Sequence, residues 1–403
     1  MKVDMELTTG TNGIIFALLR SALMGETFGL SPSETEWAEA YQMADKQSVL
    51  GVCFECVKRL DRSQQPPFEV LMQWAGDADL LRGLNKHLNT EAARLTDLFA
   101  AERRKTAILK GQANARLYPD KLSRQPGDID IWVEGGRESV IALLAKMGLT
   151  EGEQLSIFNP GHATASYHHV HLPTNDKGID VEVHFRPSSG NICPWTNRRL
   201  QNYIEQEIQQ VTTVEEGFSV PNFRFALLMQ LAHIQRHYLS SGIGLRQLCD
   251  YYLLLRNASE ADRQEVSAHL RRFGLWHIAG AVMWILQEVL GMDDRLMLCA
   301  PDDYRGPWML RDVMAGGNFG WYKEKQDGNL WRNFFKGRIQ QFRMLPFDFT
   351  EMSCIILNYW KTFFESIPYR IKYRTLSLNP LNPEVIAVGT DSGLYPSRIC
   401  PRD

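Results

Sequence analysis

The run from Asp128 to Val133, Asp-Ile-Asp-Ile-Trp-Val, restricts the possible folds of this chain more than any other segment. Its residues alternate in character, and successive side chains of a β-strand point to opposite faces. The run therefore predicts a strand with Asp128, Asp130 and Trp132 on one face and three aliphatic residues on a buried face. Two like charges held side by side at the exposed end of a strand are costly unless a cation lies between them. The run predicts a strand that binds a cation.

The surrounding pattern places this strand between two helical regions. Apolar residues recur at helical spacing before and after a short stretch of alternating strand candidates. The predicted fold class is α+β. The predicted organisation is an N-terminal helical region at 1–105, a compact α/β unit at 106–215, a C-terminal helical domain at 216–372 and an irregular tail at 373–403.

Composition excludes several classes of protein. The 403 residues carry a formal net charge of −3 and are 44% hydrophobic, which excludes both a strongly basic DNA-coating protein and a disordered chain. No apolar run is long enough to span a membrane, and the N-terminus lacks an apolar signal core, so we expect a cytoplasmic protein without a membrane partner. Seven scattered cysteines form no disulfide framework. Cys53 and Cys56 are interpreted as helix core rather than as a metal or redox site.

A second strand candidate, residues 179–185, supplies further acidic side chains. Alternation places Asp180, Glu182 and His184 on its polar face. Two-metal phosphoryl-transfer sites need a third carboxylate from a neighbouring strand, and oxygen ligands suit Mg²⁺. Asp180 and Glu182 on the same face are the two candidates for this third ligand.

The segment around Lys110 and Gly111 offers contacts for phosphate. A strand end, a glycine and a helix start would present backbone N–H groups, and Lys110 would add a positive charge. Arg124 lies four residues before Asp128, where it would either neutralise triphosphate charge or serve as an ordinary loop arginine.

Other motifs have simpler interpretations. Asp77 and Asp79 repeat the spacing of the first pair, but in a helical pattern they point to different sides and are interpreted as solvated. The run His168–His171 lacks the spacing of a closed zinc site. His233 and His237 have the i, i+4 spacing of a zinc pair, but Ile234 stands where a zinc protease has its glutamate, so a hydrogen-bonding role is favoured.

Residues 332–374 combine eight basic side chains with interleaved aromatic residues. The composition would suit a nucleic-acid face. A packed helical domain with a solvated basic side is the favoured interpretation.

Three motifs together resemble a known family. They are the run LKG(x)6YP(x)4R(x)2GDIDIWV from Leu109 to Val133, the strand VEVHF at 181–185, and the helical segments His233–His237 and Gly244–Asp250. The chain resembles the uncharacterised nucleotidyltransferase family of bacteria, within the DNA polymerase β-like superfamily. The resemblance implies a palm, which is a small mixed β-sheet with flanking helices.

The resemblance also implies roles for individual residues. Asp128 and Asp130 would hold the metal ions, and Glu182 would bind the second metal and assist deprotonation of the attacking hydroxyl. Lys110 and Gly111 would face the nucleotide phosphates. The chain departs from the wider superfamily in having Gln112 after the glycine, where Ser or Gly is usual, and in a longer spacer before Asp128.

The helix that follows the α/β unit would complete the cleft. Arg246 and Asp250 lie at i, i+4, where they would either pair with each other or, as the resemblance suggests, approach the nucleotide.

The implied activity is transfer of an NMP from an NTP to a hydroxyl-bearing acceptor, with release of pyrophosphate and two Mg²⁺ ions as cofactors. We expect the acceptor to be a small molecule rather than protein or RNA. The alternatives are nucleotidylation of a protein or tRNA, as in toxin–antitoxin relatives, and a catalytically inactive nucleotide-binding or scaffold palm. Retention of three candidate carboxylates argues against the inactive palm. The NTP, the acceptor and the oligomeric state are not specified by the sequence.

Overall fold

The computed structural model describes residues 5–150, 164–165, 167–173, 178–318, 330–365 and 367. The predicted tail at 373–403 lies outside the described residues, as do Arg370, Lys372 and Arg374 of the basic segment.

The N-terminal region is helical, as its apolar spacing predicted. Its helices are α1 (Met5–Thr8), α2 (Gly10–Met24), α3 (Glu34–Lys46), α4 (Leu50–Val57) and α5 (Phe68–Ala101). Ser33 caps α3 by accepting the Glu36 N–H, and the Glu36 side chain accepts the Ser33 N–H in return. The prolines at 66 and 67 precede α5 because proline is tolerated only at the start of a helix.

A five-stranded mixed sheet follows. Its elements are β1 (Thr106–Ile108), α6 (Gln112–Ala115), β2 (Ile129–Val133), α7 (Gly136–Lys146), β3 (Thr164–Ala165), β4 (His169–His171) and β5 (Val181–His184). The strand order is β1-β2-β5-β4-β3; β2 and β5 run parallel, and the other neighbours run antiparallel. A small mixed sheet in a helical chain is the predicted α+β class.

Helices dominate the rest of the described chain. The elements are α8 (Pro194–Glu207), β6 (Val211–Thr213), β7 (Ser219–Pro221), α9 (Phe223–Ser240), α10 (Leu245–Asn257), α11 (Glu260–His269), α12 (Trp276–Leu290), a 3-10 turn (Asp294–Leu296), α13 (Arg305–Gly316), α14 (Leu330–Arg343) and α15 (Phe349–Glu365). The β6–β7 hairpin was not predicted, because its strands are only three residues long. None of the helices in the described part of the chain combines the length and apolar character that a membrane crossing requires.

The sheet separates two hydrophobic clusters. The aliphatic residues of β2 pack with those of β5, with α7 and with the C-terminal half of α5. On the opposite face, Trp132 and Tyr118 belong to a larger cluster that continues through the N- and C-terminal helices. Both faces of β2 are therefore buried, and the prediction that the aspartates lie at an exposed strand end was wrong for Asp130, which is 1% exposed. The sequence showed one apolar face but not that helices cover the other.

The N- and C-terminal helices pack against each other as well as against the sheet. Arg20 of α2 donates to the Val289 carbonyl at 2.7 Å. The buried Gln47 side chain accepts the Leu245 N–H at 3.1 Å and donates to the Val313 carbonyl at 3.0 Å. Packing thus crosses the predicted boundaries at residues 105 and 215, and those boundaries stay predictions.

Two simpler interpretations can be compared with the structure. Cys53 and Cys56 are buried in α4, within the larger cluster, as expected for helix core. In the basic segment, Arg338 lies over the Tyr359 ring at 3.2 Å from its centroid, while Phe335 and Phe342 are more than half exposed. This segment is a helical pair with exposed aromatic residues, and its binding role stays a prediction.

The close approach of α4 to the loop before β2 generates a stability prediction. A Cβ at Gly51 would lie 2.3 Å from the Ser123 carbonyl oxygen, whereas a Cβ at Gly76 of α5 would meet nothing within 4 Å. Gly51→Ala should lower the free energy of unfolding by about 1–3 kcal/mol through overpacking. The control, Gly76→Ala, should raise it by about 0.5–1 kcal/mol, because alanine favours a helix. Urea denaturation checks both, and equal stability of the two variants would contradict the packing described.

Candidate active site

The register of the parallel strands brings two carboxylates side by side. Asp130 of β2 is the direct partner of Glu182 of β5, and Asp128 immediately precedes β2. The Ile129 N–H donates to the Asp180 carbonyl at 3.0 Å, which holds the two strands together at this end. Because neighbours in register project to the same face of a sheet, Asp130 and Glu182 share one face.

Two cationic groups lie against these carboxylates. Lys110 Nζ is 2.9 Å from Asp130 Oδ2 and 3.7 Å from Asp128 Oδ1. His184 Nε2 is 3.1 Å from Asp130 Oδ1 and 3.3 Å from Glu182 Oε2. One ammonium group therefore serves both aspartates, and one imidazole connects Asp130 with Glu182. His184 was not among the predicted site residues, although the strand pattern already placed it on the same polar face as Glu182.

The electrostatics distinguish the acids. Burial and then the charge of Asp130 raise the pKa of Asp128 to about 6. Burial acts to raise the pKa of Asp130, but Lys110 and His184 outweigh it and hold that pKa below its usual value. For Glu182, burial is likewise outweighed, by His169, His171 and His184, and its pKa lies well below the usual range.

The carboxylates in turn raise the pKa values of the two cationic groups, Lys110 and His184. Burial alone would lower the pKa of Lys110, but Asp128 and Asp130 outweigh it and raise that pKa above its usual value. Burial also opposes the charged form of His184, yet its bonds to Asp130 and Glu182 raise the pKa to about 9. The cluster therefore keeps two acids charged by holding two cations beside them.

The structure favours Glu182 over Asp180 as the third carboxylate. Besides His184, two further imidazoles lie near Glu182: His169 Nδ1 at 3.5 Å and His171 Nδ1 at 3.8 Å. One ligand atom each from Asp130, Glu182 and His184 lies within 4.8 Å of the others. In the described chain, the group of possible metal ligands that contains Asp130 includes Glu182 and not Asp180.

Gly111 forms the turn that delivers Lys110 to the aspartates. Its φ of +60° lies in the region that favours glycine, and a Cβ there would lie 3.4 Å from the Asp128 carbonyl oxygen. The next residue, Gln112, is buried and donates to Asn89 Oδ1 of α5 at 2.6 Å. The glutamine that stands where Ser or Gly was expected therefore has a hydrogen-bond partner. The predicted contact of Lys110 and Gly111 with phosphate stays a prediction.

Arg124 and Asp250 form an ion pair with each other. Two Arg124 nitrogens donate to the two Asp250 oxygens at 2.8 Å, and Tyr118 Oη donates to Asp250 Oδ1 at 2.8 Å. Arg124 is 5% exposed and Asp250 is 1% exposed. This buried bidentate pair was not among the two alternatives given for Asp250, pairing with Arg246 or approach to the nucleotide, and it does not favour a nucleotide contact by either partner.

Arg246 and Asn85 both donate hydrogen bonds to the loop that leads into Asp128. Arg246 Nη1 donates to the carbonyls of Gln125 and Pro126 at 3.2 and 3.1 Å. Asn85 Nδ2 of α5 donates to the Arg124 carbonyl at 2.8 Å. The loop that leads into Asp128 is therefore held by α5 and α10, and these residues position the aspartate. Sequence spacing had not indicated Asn85.

His233 and His237 of α9 form a close pair whose ring centroids are 4.2 Å apart. Burial and then the charge of Lys110 lower the pKa of His237 to about 3, and burial also lowers the pKa of His233. His237 Nδ1 lies 3.4 Å from Ser241 Oγ, in keeping with the predicted hydrogen-bonding role. In the part of the chain that the structure describes, neither histidine joins a group of three possible metal ligands.

The donor set fits a divalent cation. Asp128, Asp130 and Glu182 offer carboxylate oxygens, the ligands that Mg²⁺ prefers. The two aspartates already share the positive charge of Lys110. Carboxylates that stabilise the ammonium group of Lys110 have the negative charge and the oxygen ligands that a divalent metal ion also needs.

The buried pair at the loop predicts unequal costs of mutation. Asp250→Asn should lower the free energy of unfolding by about 3–5 kcal/mol, because it leaves the buried Arg124 without a counter-charge. Tyr118→Phe removes one hydrogen bond and should cost roughly 1–2 kcal/mol. Chemical denaturation of both variants measures the difference. An Asp250→Asn variant no less stable than Tyr118→Phe would show that the ion pair is not the main support of this loop.

Comparison with known proteins identifies a family for this chain. The profile of a family described as uncharacterised nucleotidyltransferases matches residues 33–291. The chain is also similar to the solved structure of an antigenic nucleotidyltransferase-like protein from Paracoccidioides brasiliensis, at 14% identity over 54% of this chain and 95% of that chain, with a TM-score of 0.31. No curated protein matches the chain. Because the family profile covers more than half of its length, this chain belongs to the uncharacterised nucleotidyltransferase family.

Proposed function

We propose that this protein transfers an NMP from an NTP to a hydroxyl-bearing acceptor, with release of pyrophosphate, in a Mg²⁺-dependent reaction. The observation that carries the proposal is the pairing of Asp130 with Glu182 on adjacent parallel strands, with Asp128 at the strand entrance. Membership of a nucleotidyltransferase family supports the reaction class. We further propose that the sheet serves as the palm of such an enzyme.

The positions of the residues support a proposed role for each of them. Asp128, Asp130 and Glu182 would hold Mg²⁺, which when bound neutralises phosphate charge and activates the acceptor oxygen. The acceptor oxygen forms a bond to the α-phosphorus while the bond to the leaving pyrophosphate breaks. Glu182 assists removal of the hydroxyl proton. The loop before Asp128 and the paired strands β2 and β5 hold the carboxylates in position. Such positioning is the protein's main contribution to a transfer of this kind.

Lys110 would have two positions in this proposal. Without nucleotide its ammonium neutralises Asp128 and Asp130. With Mg²⁺ held by the two aspartates, Lys110 would be available to the triphosphate at the turn formed by Gly111. We propose a small hydroxyl compound as acceptor, and the cytoplasm as the place of action.

One observation favours a second candidate, an inactive nucleotide-binding or scaffold palm. The acids already have internal cations, Lys110 and His184, so the cluster is partly neutralised by the protein itself. Against this, the negative charges of Asp130 and Glu182 both act on Asp128, and acids whose charges repel are costly to keep where they serve no purpose. The two candidates differ in whether pyrophosphate is released.

A screen for pyrophosphate release tests the proposal directly. Each NTP is incubated with Mg²⁺ and a panel of small hydroxyl acceptors, and we expect release with at least one combination. Asp128→Asn should lower the rate by at least about 100-fold, because it removes a carboxylate from the site. Asp79→Asn is the matched control, since Asp77 and Asp79 share the spacing but lie on α5. Full activity of Asp128→Asn would refute the assignment.

The melting temperature separates this loss from misfolding. A carboxyl group with a raised folded-state pKa binds more protons folded than unfolded, so its contribution to stability falls as pH rises through about 6. At pH 8 without metal, Asp128→Asn should therefore melt no lower than the parent protein.

Replacement of Lys110 tests whether it competes with the metal. Lys110→Ala should strengthen Mg²⁺ binding in the absence of nucleotide, because it removes the cation that Asp128 and Asp130 now share. It should weaken NTP binding in the presence of Mg²⁺. Lys121→Ala, which removes a more exposed lysine paired with Glu216, is the control. Calorimetry measures both affinities, and absence of NTP binding by the parent protein with Mg²⁺ would favour the scaffold.

A further inference from the structure

Three histidines form a compact group beside the carboxylates. His168, His169 and His184, here called the imidazole cluster, each offer a ring nitrogen, and these atoms lie within 4.8 Å of one another. The ring centroids are 4.4 to 5.2 Å apart. His168 and His184 are buried, and His169 is largely so. Nitrogen ligands at this density exceed what a Mg²⁺ site requires, because Mg²⁺ prefers oxygen.

The backbone holds the cluster in place. His169 of β4 is the direct partner of His184 of β5, which brings the two rings to the same face of the sheet. The His168 carbonyl accepts the N–H groups of Phe185 and Arg186, both at 3.1 Å, at the end of this strand pair. The cluster is therefore part of the sheet rather than a chance meeting of mobile side chains.

The spacing of the ring nitrogens suits a small transition-metal ion. His169 Nδ1 and His168 Nε2 are 3.1 Å apart. Two nitrogens bound tetrahedrally to zinc at about 2.0–2.1 Å lie roughly 3.3 Å from each other. The third ring, that of His184, offers a nitrogen within 4.8 Å of both.

Glu182 connects the imidazole cluster to the carboxylates. Its Oε2 lies 3.5 Å from His169 Nδ1 and 3.3 Å from His184 Nε2. Asp130, the strand partner of Glu182, belongs to the carboxylate side. One carboxylate thus lies between a set of oxygen ligands and a set of nitrogen ligands.

We infer that the imidazole cluster, together with Glu182, binds a transition-metal dication of the Zn²⁺ class. The ion replaces the proton of His184, which is released to solvent on binding. The site stands on these four residues alone. Its pairing with Mg²⁺ at Asp128 and Asp130, as an unlike pair of ions, rests on the proposed function. Sequence spacing argued against zinc at His168–His171. The spacing could not show that a third imidazole, that of His184, comes from another strand.

Cobalt is the probe for this site, since Co²⁺ replaces zinc and its visible absorption reports tetrahedral nitrogen ligands. The full chain is stripped with a chelator and titrated with Co²⁺ in excess Mg²⁺. We expect one tightly bound Co²⁺ per chain that Zn²⁺ displaces and Mg²⁺ does not.

Three variants decide between the possibilities. His169→Gln should weaken Co²⁺ binding at least tenfold, as expected when a metal site loses a supporting group or a ligand. His269→Gln, which changes a histidine of α11 paired with Glu265, should bind as the parent does. Asp128→Asn should also keep the Co²⁺ site while it loses Mg²⁺-dependent NTP binding. Circular dichroism verifies that each variant is folded.

The outcomes separate the inference from the proposed function. Absence of a Co²⁺ band in the parent protein, or an unchanged band in folded His169→Gln, overturns the imidazole site. Co²⁺ binding by a parent protein that neither binds NTP nor releases pyrophosphate supports the imidazole site and refutes the transfer reaction.

Discussion

The confinement of Asp130 and Glu182 as neighbours on parallel strands is the constraint on which the rest of the site depends. Asp130 is almost fully buried, and like charges this close repel strongly where water is scarce. Lys110 reaches in from the end of β1, and His184 lies two residues after Glu182. The sheet thus brings together both the repelling charges and the cations that offset them.

The support of Asp128 is of a different kind, because Asp128 lies in a loop and not in a strand. The loop before it is held by the buried Arg124–Asp250 pair, by Arg246 and by Asn85. Removal of one partner from a buried ion pair is costly, so such pairs hold a loop in one arrangement. Residues of α5 and α10 therefore position the aspartate through the backbone of the loop that precedes it.

The two sets of ligands give the site an unusual composition for its proposed chemistry. Carboxylates alone would suit Mg²⁺, whereas the imidazole cluster adds nitrogen ligands beside Glu182. His184 belongs to both groups of possible ligands, so the two groups meet at this side chain. The family to which the chain belongs names a reaction class, and the ligand set indicates how this member would carry it out.

Local features of the fold could be predicted from the sequence because they depend on neighbouring residues only. Alternation in Asp128–Val133 predicted a strand with Asp130 and Trp132 on one face. That Glu182 and not Asp180 is the strand partner of Asp130 depended on the register, which the alternation of one strand cannot specify.

Partners distant in sequence were decided by the tertiary structure alone. Asp250 has Arg246 at helical spacing, yet it pairs with Arg124, 126 residues away, because both are buried where α10 meets the loop. The third imidazole of the cluster likewise comes from β5, whose register beside β4 no spacing within His168–His171 could reveal. Periodicity determines which face a side chain takes, while the packing of strands and helices determines what that face meets.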